Sequence, residues 1–228
     1  MRLELVLSAV LLPFLFWVAY HYYHDRHRPE PVINLVVTVG LGAVASLIAG
    51  FGYHALDLAG MQVDVDALAE TTPMALFAYA VLGIGLIEEL AKLLPFVLVV
   101  LRFKDFDEAL DGVVYASFLA LGFATVENLY YLDHLTRGEA IARGFAGPVV
   151  HMVFASIWGH RIGMARLTGG RIFGVALIWL GVSALVHGVY DFIVLAFSDV
   201  SLLLASAFIV AIWLWRLNLV SRLKEPVG

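Results

Sequence analysis

The chain has 228 residues, 62% of them hydrophobic and 14% charged, with a formal net charge of −5 at pH 7 and no cysteine. Soluble globular domains are about 45–50% apolar and about 25% charged, so the composition points away from an ordinary soluble enzyme and toward an integral membrane protein. The absence of cysteine excludes a disulfide framework and a thiolate metal site. No polybasic tract suggests nucleic acid.

A membrane span needs roughly 20 mostly apolar residues. Such runs fall at 3–23, 32–54, 74–101, 111–131, 146–166, 172–197 and 201–219. They predict an all-α fold, a polytopic transmembrane helix bundle of about seven spans, in one membrane-embedded domain over 1–228. The first run is too long for a signal-peptide core and lacks a small-residue cleavage site, so it is expected to be retained. It ends in "HYYHDRHR", where Tyr rings suit the headgroup level. His21, His24 and His27 with Asp25 offer a weaker metal alternative. The second run carries Gly42, Ser46 and Gly50 at four-residue steps, a small-residue stripe that lets helices pack closely in lipid. The acidic stretch 55–73 leaves room for a short surface helix, and Thr71, Thr72 and Pro73 form a helix start. Pro148 is expected to open the fifth span in the same way.

Orientation follows from the basic residues. Loops on one side and the C-terminal tail hold Arg26, Arg28, Arg102, Lys104, Arg161, Arg166, Arg171, Arg216, Arg222 and Lys224. The other side holds Arg2, Arg137 and Arg143. The positive-inside bias places the N-terminus outside and the C-terminus in the cytoplasm.

Charges inside the apolar runs carry the chemistry, because each costs at least about 2.5–3.5 kcal/mol at mid-membrane. Glu88 and Lys92 share a face of the third span, with Glu89 one step around. An ion pair between the first two leaves Glu89 in need of another partner or a wet cavity. Glu127, followed by Asn128, lies on the Ala116–Ala120–Ala124 face of the fourth span. His151 precedes Ala155 by four on the fifth. Ser183, His187 and Asp191 step by four along the sixth. Under the charge-derived topology these groups meet in the outer half of the membrane. His54 and His134 are expected to be solvated.

Such a cluster suits peptide hydrolysis, with paired carboxylates to activate water and histidines to stabilise an oxyanion. A metal variant has Glu127, His151 and His187 holding a divalent ion such as zinc, with Glu89 activating its water. No HExxH is present, so the cofactor stays open between none and a divalent metal. A proton- or ion-coupled transporter using the same buried carboxylates is the alternative, with a non-catalytic scaffold third.

The segments "EELAK" (Glu88 to Lys92), "FDEALDGVVYA" (Phe106 to Ala116), "GFATVENLYY" (Gly122 to Tyr131) and "HGVYDF" provide EExxK, FxxxEN and HxxxD in order. Over roughly residues 85–192 the chain resembles the PrsW protease family of bacterial polytopic membrane proteins. That family is distantly related to the CAAX prenyl protease and bacteriocin-processing group of intramembrane glutamic proteases. The resemblance implies an intramembrane endopeptidase with its core over 74–197, multi-pass in the bacterial inner membrane. It would initiate regulated proteolysis of a membrane-anchored anti-sigma factor in a stress response, cutting on the extracytoplasmic side. Carried onto this chain, Glu88 and Glu89 are the catalytic pair, Glu127 a second carboxylate and His187 the essential histidine. His151 and Asp191 complete the candidate site, with Lys92 and Asn128 supporting it. Glu108 also falls in a family motif, although the charge-derived topology sets it on the opposite side.

Overall fold

The computed structural model describes residues 2–24, 28–61, 63–197 and 200–224. Among these, every regular element is a helix. Asp25 and His27 of the juxtamembrane histidine group lie outside the described residues.

The first helical run joins α1 (Arg2–Val6), a π-helical turn (Leu7–Leu11) and α2 (Leu12–His24). α3 (Val32–Leu58) comes next, and then the short α4 (Val65–Thr71), whose start is capped by Asp64 accepting from the Ala67 amide at 3.0 Å. The next run begins at Pro73. It passes through α5 (Pro73–Ala78), a π-helical segment (Tyr79–Gly85), α6 (Leu86–Leu98) and a 3₁₀ turn (Val100–Arg102). α7 (Ala109–Tyr131), α8 (Arg137–Leu167), α9 (Ile172–Ala196) and α10 (Ser201–Lys224) complete the chain. Among the described residues, six helical stretches are long and apolar enough to cross a bilayer: Leu3–Tyr23, Val32–Leu58, Ala109–Tyr131, Arg137–Leu167, Ile172–Ala196 and Ser201–Leu223. The expected span at 74–101 is the composite run from α5 to α6. The protein is thus an all-α, multi-pass membrane bundle.

α7 sits at its centre. Its apolar residues run all round the helix, the pattern of a helix packed on every side, and nearly every residue from Leu110 to Ala124 is buried. α3 crosses it at backbone contact. A Cβ added at Gly42 would lie 1.9 Å from the Leu119 carbonyl oxygen, and one at Gly122 would lie 2.1 Å from that of Val39. The π-helical segment packs as closely on α9. A Cβ at Gly85 would lie 2.5 Å from the Ala184 carbonyl oxygen, and one at Gly188 2.5 Å from the Val81 Cα. A π turn inserts a residue into the helical count and rotates the helix beyond it. Here it immediately precedes Glu88 and Glu89.

Two local expectations change. α8 begins at Arg137, not 146, and Pro148 lies inside it. Thr136 and Glu139 form a capping box that starts the helix in a stretch too polar to count as an apolar run. Gly50, third in the small-residue stripe of α3, is not in packing contact, since a Cβ there would meet nothing within 4 Å.

Candidate active site

α6 buries both of its adjacent acids, but they have different surroundings. Glu89 is 0% exposed. It accepts from Lys92 Nζ at 2.5 Å, from Trp158 Nε1 at 2.8 Å and from Ser183 Oγ at 3.0 Å, and it meets His187 Nδ1 at 3.0 Å. Glu88 accepts from the Tyr53 hydroxyl at 2.7 Å through Oε1. Its other oxygen, Oε2, is buried and has no hydrogen-bond partner among the described residues. Lys92 belongs mainly to Glu89, because its Nζ stands 4.0 Å from Glu88 Oε2.

Each histidine hands one ring nitrogen to a carboxylate. His187 Nδ1 faces Glu89, and His151 Nε2 faces Glu127 Oε2 at 2.7 Å. Glu127 is held in turn by Arg143 at 2.8 Å, and the Arg143 guanidinium lies 3.7 Å from the centre of the Tyr131 ring. An ionised carboxylate only accepts, so each facing nitrogen carries the proton and the opposite nitrogen presents a lone pair. Those opposite nitrogens point at the same oxygen. His187 Nε2 lies 3.7 Å and His151 Nδ1 3.8 Å from Glu88 Oε2. Asp191 Oδ2, also buried without a hydrogen-bond partner among the described residues, stands 3.4 Å from His187 Nε2.

These groups face a cavity of about 1080 Å³ bounded by α3, α4, the π-helical segment, α6, α7, α8 and α9. Glu88, Glu127, His151, His187 and Asp191 line it. Glu89 and Lys92 stand behind the wall. Asn128 is buried beside Gly147, with its Oδ1 unpartnered among the described residues. His54 and His134 are exposed, as expected, and both line the same cavity.

Residues 30–216 match the PrsW family intramembrane metalloprotease description. The chain belongs to the PrsW family. It is 30% identical to a protein named Protease PrsW from Clostridioides difficile (strain 630), over 96% of this chain and 90% of that one. The Protease PrsW of Oceanobacillus iheyensis is 32% identical over 96% of both chains. That of Bacillus subtilis (strain 168) is 29% identical over 85% of this chain and 84% of its own. No solved structure gives a significant match. This PrsW chain is therefore a peptidase of the membrane.

The family description names a metal, and the donor set fits one. One ligand atom each from Glu88, His151 and His187 lie within 4.8 Å of one another. Two imidazoles whose far nitrogens are held by carboxylates are the usual supporting arrangement around a metal ion. Fully ionised, the four carboxylates Glu88, Glu89, Glu127 and Asp191 outnumber the cations Lys92 and Arg143, which favours a divalent cation. One hydrogen bond must yield: His151 Nδ1 now meets Lys92 Nζ at 3.0 Å, and an ion there would leave Lys92 to the two glutamates. The carboxylate in the converging set is Glu88; Glu127, the acid the sequence grouped with the histidines, lies behind His151.

Tyr53, Arg143 and Trp158 escaped the sequence reading. Arg143 continues the four-residue steps Gly147, His151 and Ala155, but it fell outside the apolar run. Tyr53 extends the inward stripe of α3. Glu108 sits at the start of α7, about 28 Å along the helix from Glu127. There it pairs with Arg28 at 3.0 Å, while Asp111 accepts from the Asp107 and Glu108 amides at 2.7 and 2.8 Å. Glu108 thus fixes a loop to a helix start.

Proposed function

We propose that the cavity is the active site of an endopeptidase cutting membrane-anchored polypeptides, with a divalent cation of the zinc class held by Glu88, His151 and His187. The observation that carries the reading is the convergence of two carboxylate-oriented imidazoles on one carboxylate oxygen that has no hydrogen bond among the described residues. Such an ion polarises a scissile carbonyl and makes its water acidic enough to ionise near neutral pH.

The side chains supply the rest. Glu127 and Glu89 hold the ring tautomers. Tyr53 occupies Glu88 Oε1 and so turns Oε2 toward the histidines. Asp191, whose Oδ2 has no hydrogen bond among the described residues and faces the cavity 3.4 Å from His187 Nε2, takes the proton of the attacking water and returns it to the leaving amine. Lys92 balances Glu89 in a wall closed to water, and Asn128 supports the neighbouring Glu127. The catalytic core spans 74–197 within a single domain. The bias of basic residues supports a site opening toward the cell exterior, with the N-terminus outside and the C-terminus cytoplasmic. The family resemblance supports a bacterial inner-membrane location and an anti-sigma factor as substrate.

The test is cleavage of a single-span reporter by the full chain in liposomes. Glu88→Gln and His187→Ala abolish cleavage, and a chelator stops the wild type until zinc is returned. Wild-type rates in either variant would reject the assignment.

A further inference from the structure

The α3–α7 wall of the cavity changes character along the helix axes. At Gly42 and Gly122 the two backbones touch, with added Cβ atoms falling about 2 Å from opposing carbonyl oxygens. Eight residues along α3, about 12 Å farther, Gly50 lines the cavity and an added Cβ would meet nothing within 4 Å. The close backbone contact at Gly42 is absent at Gly50, although Ala49 beside it still packs in a cluster with Phe123 of α7. The side chains flanking the gap reach both ways. Leu47, Phe51 and Tyr130 line the cavity and are 47%, 75% and 58% exposed. These side chains sit on spans long and apolar enough to cross a bilayer, so the mouth they form suits apolar chain, and the cavity behind it holds Glu88, His151 and His187.

We infer that the gap between the outer parts of α3 and α7 is the lateral portal by which an apolar segment of a membrane-anchored polypeptide reaches the active site, and that Gly50 keeps it open. The inference rests on the protease reading. The occupant is set by the walls: Leu47, Phe51 and Tyr130 suit apolar side chains, and the far end carries the groups that attack a peptide. Gly50 is a specificity-determining position. A side chain there starts in open space, because its Cβ has no neighbour to displace, and a large one extends into the passage.

The test uses the full chain in phosphatidylethanolamine–phosphatidylglycerol vesicles and a synthetic single-span reporter helix. Cleavage falls by about tenfold or more in Gly50→Trp and by less in Gly50→Leu. Gly40 is the control: it is exposed on the same helix, has open space and is not part of the cavity wall. Gly40→Trp stays within about twofold of wild type. The chain has no cysteine, so Gly50→Cys and Gly40→Cys each carry a single bimane label. A tryptophan in the reporter quenches the label at position 50 and not at position 40, including in a His187→Ala background where nothing is cut. Equal quenching at both positions, quenching at position 50 by brominated lipid but not by the reporter, or full cleavage by Gly50→Trp overturns the portal. Selective quenching at position 50 with no cleavage by the wild type supports the portal and contradicts the protease reading.

Discussion

Glu89→Gln separates a scaffold carboxylate from a reacting one. Glu89 is fully buried, bonded to Lys92, Trp158, Ser183 and His187, and absent from the cavity wall. The amide keeps its shape but loses its charge. Lys92, also 0% exposed, is then left with Glu88 Oε2 at 4.0 Å as its nearest carboxylate. Removing one partner of a buried ion pair costs about 3–5 kcal/mol. For a chain of this size each kcal/mol moves the midpoint by about 2–4 °C, so the expected fall in Tm is on the order of 10 °C. Thermal unfolding in detergent micelles measures it. Pairing the change with Lys92→Met removes the stranded cation and recovers about 1–3 kcal/mol of the loss. A Glu89→Gln variant with wild-type Tm and no activity would refute this reasoning and return Glu89 to the reacting groups.

Two further changes probe the supports of the metal ligands. Glu127→Gln can offer its single oxygen to His151 or to Arg143 but not to both; zinc affinity, read by chelator competition, falls about 10–100-fold with little change in Tm. Tyr53→Phe removes the hydroxyl from Glu88 Oε1. A hydrogen bond to a charged group is worth about 1.5–3 kcal/mol, so zinc affinity and kcat/KM fall together, while a variant with unchanged affinity would detach Tyr53 from the site.

The bundle and the gathering of buried polar groups at one cavity were legible in the sequence, because a charge in lipid is costly enough to mark itself and helical spacing shows which charges share a face. Glu88, Glu127, His151, His187 and Asp191 meet at one cavity for that reason. What spacing could not supply was the division of labour. Glu88 and Glu89 are chain neighbours, but a helix turns about 100° per residue. One therefore faces the cavity while the other faces Trp158 and Ser183, 69 and 94 residues away. The i,i+4 rule suggested Glu88 as the partner of Lys92, yet the ammonium reaches Glu89 at i−3 instead. Arg143 was hidden by hydropathy: α8 starts at a capping box well before its apolar stretch. The break in the third span was equally silent, since a π turn depends on the backbone of α9 packed against Gly85.

The central claim is that two imidazoles and one glutamate of this chain hold a divalent ion. X-ray absorption at the zinc edge, on the full-length protein loaded with one equivalent, tests it directly. The expected first shell has two imidazole nitrogens and oxygen donors, with imidazole scattering lost stepwise in His151→Ala and His187→Ala. A zinc shell containing no imidazole, or one unchanged in both variants, would contradict it.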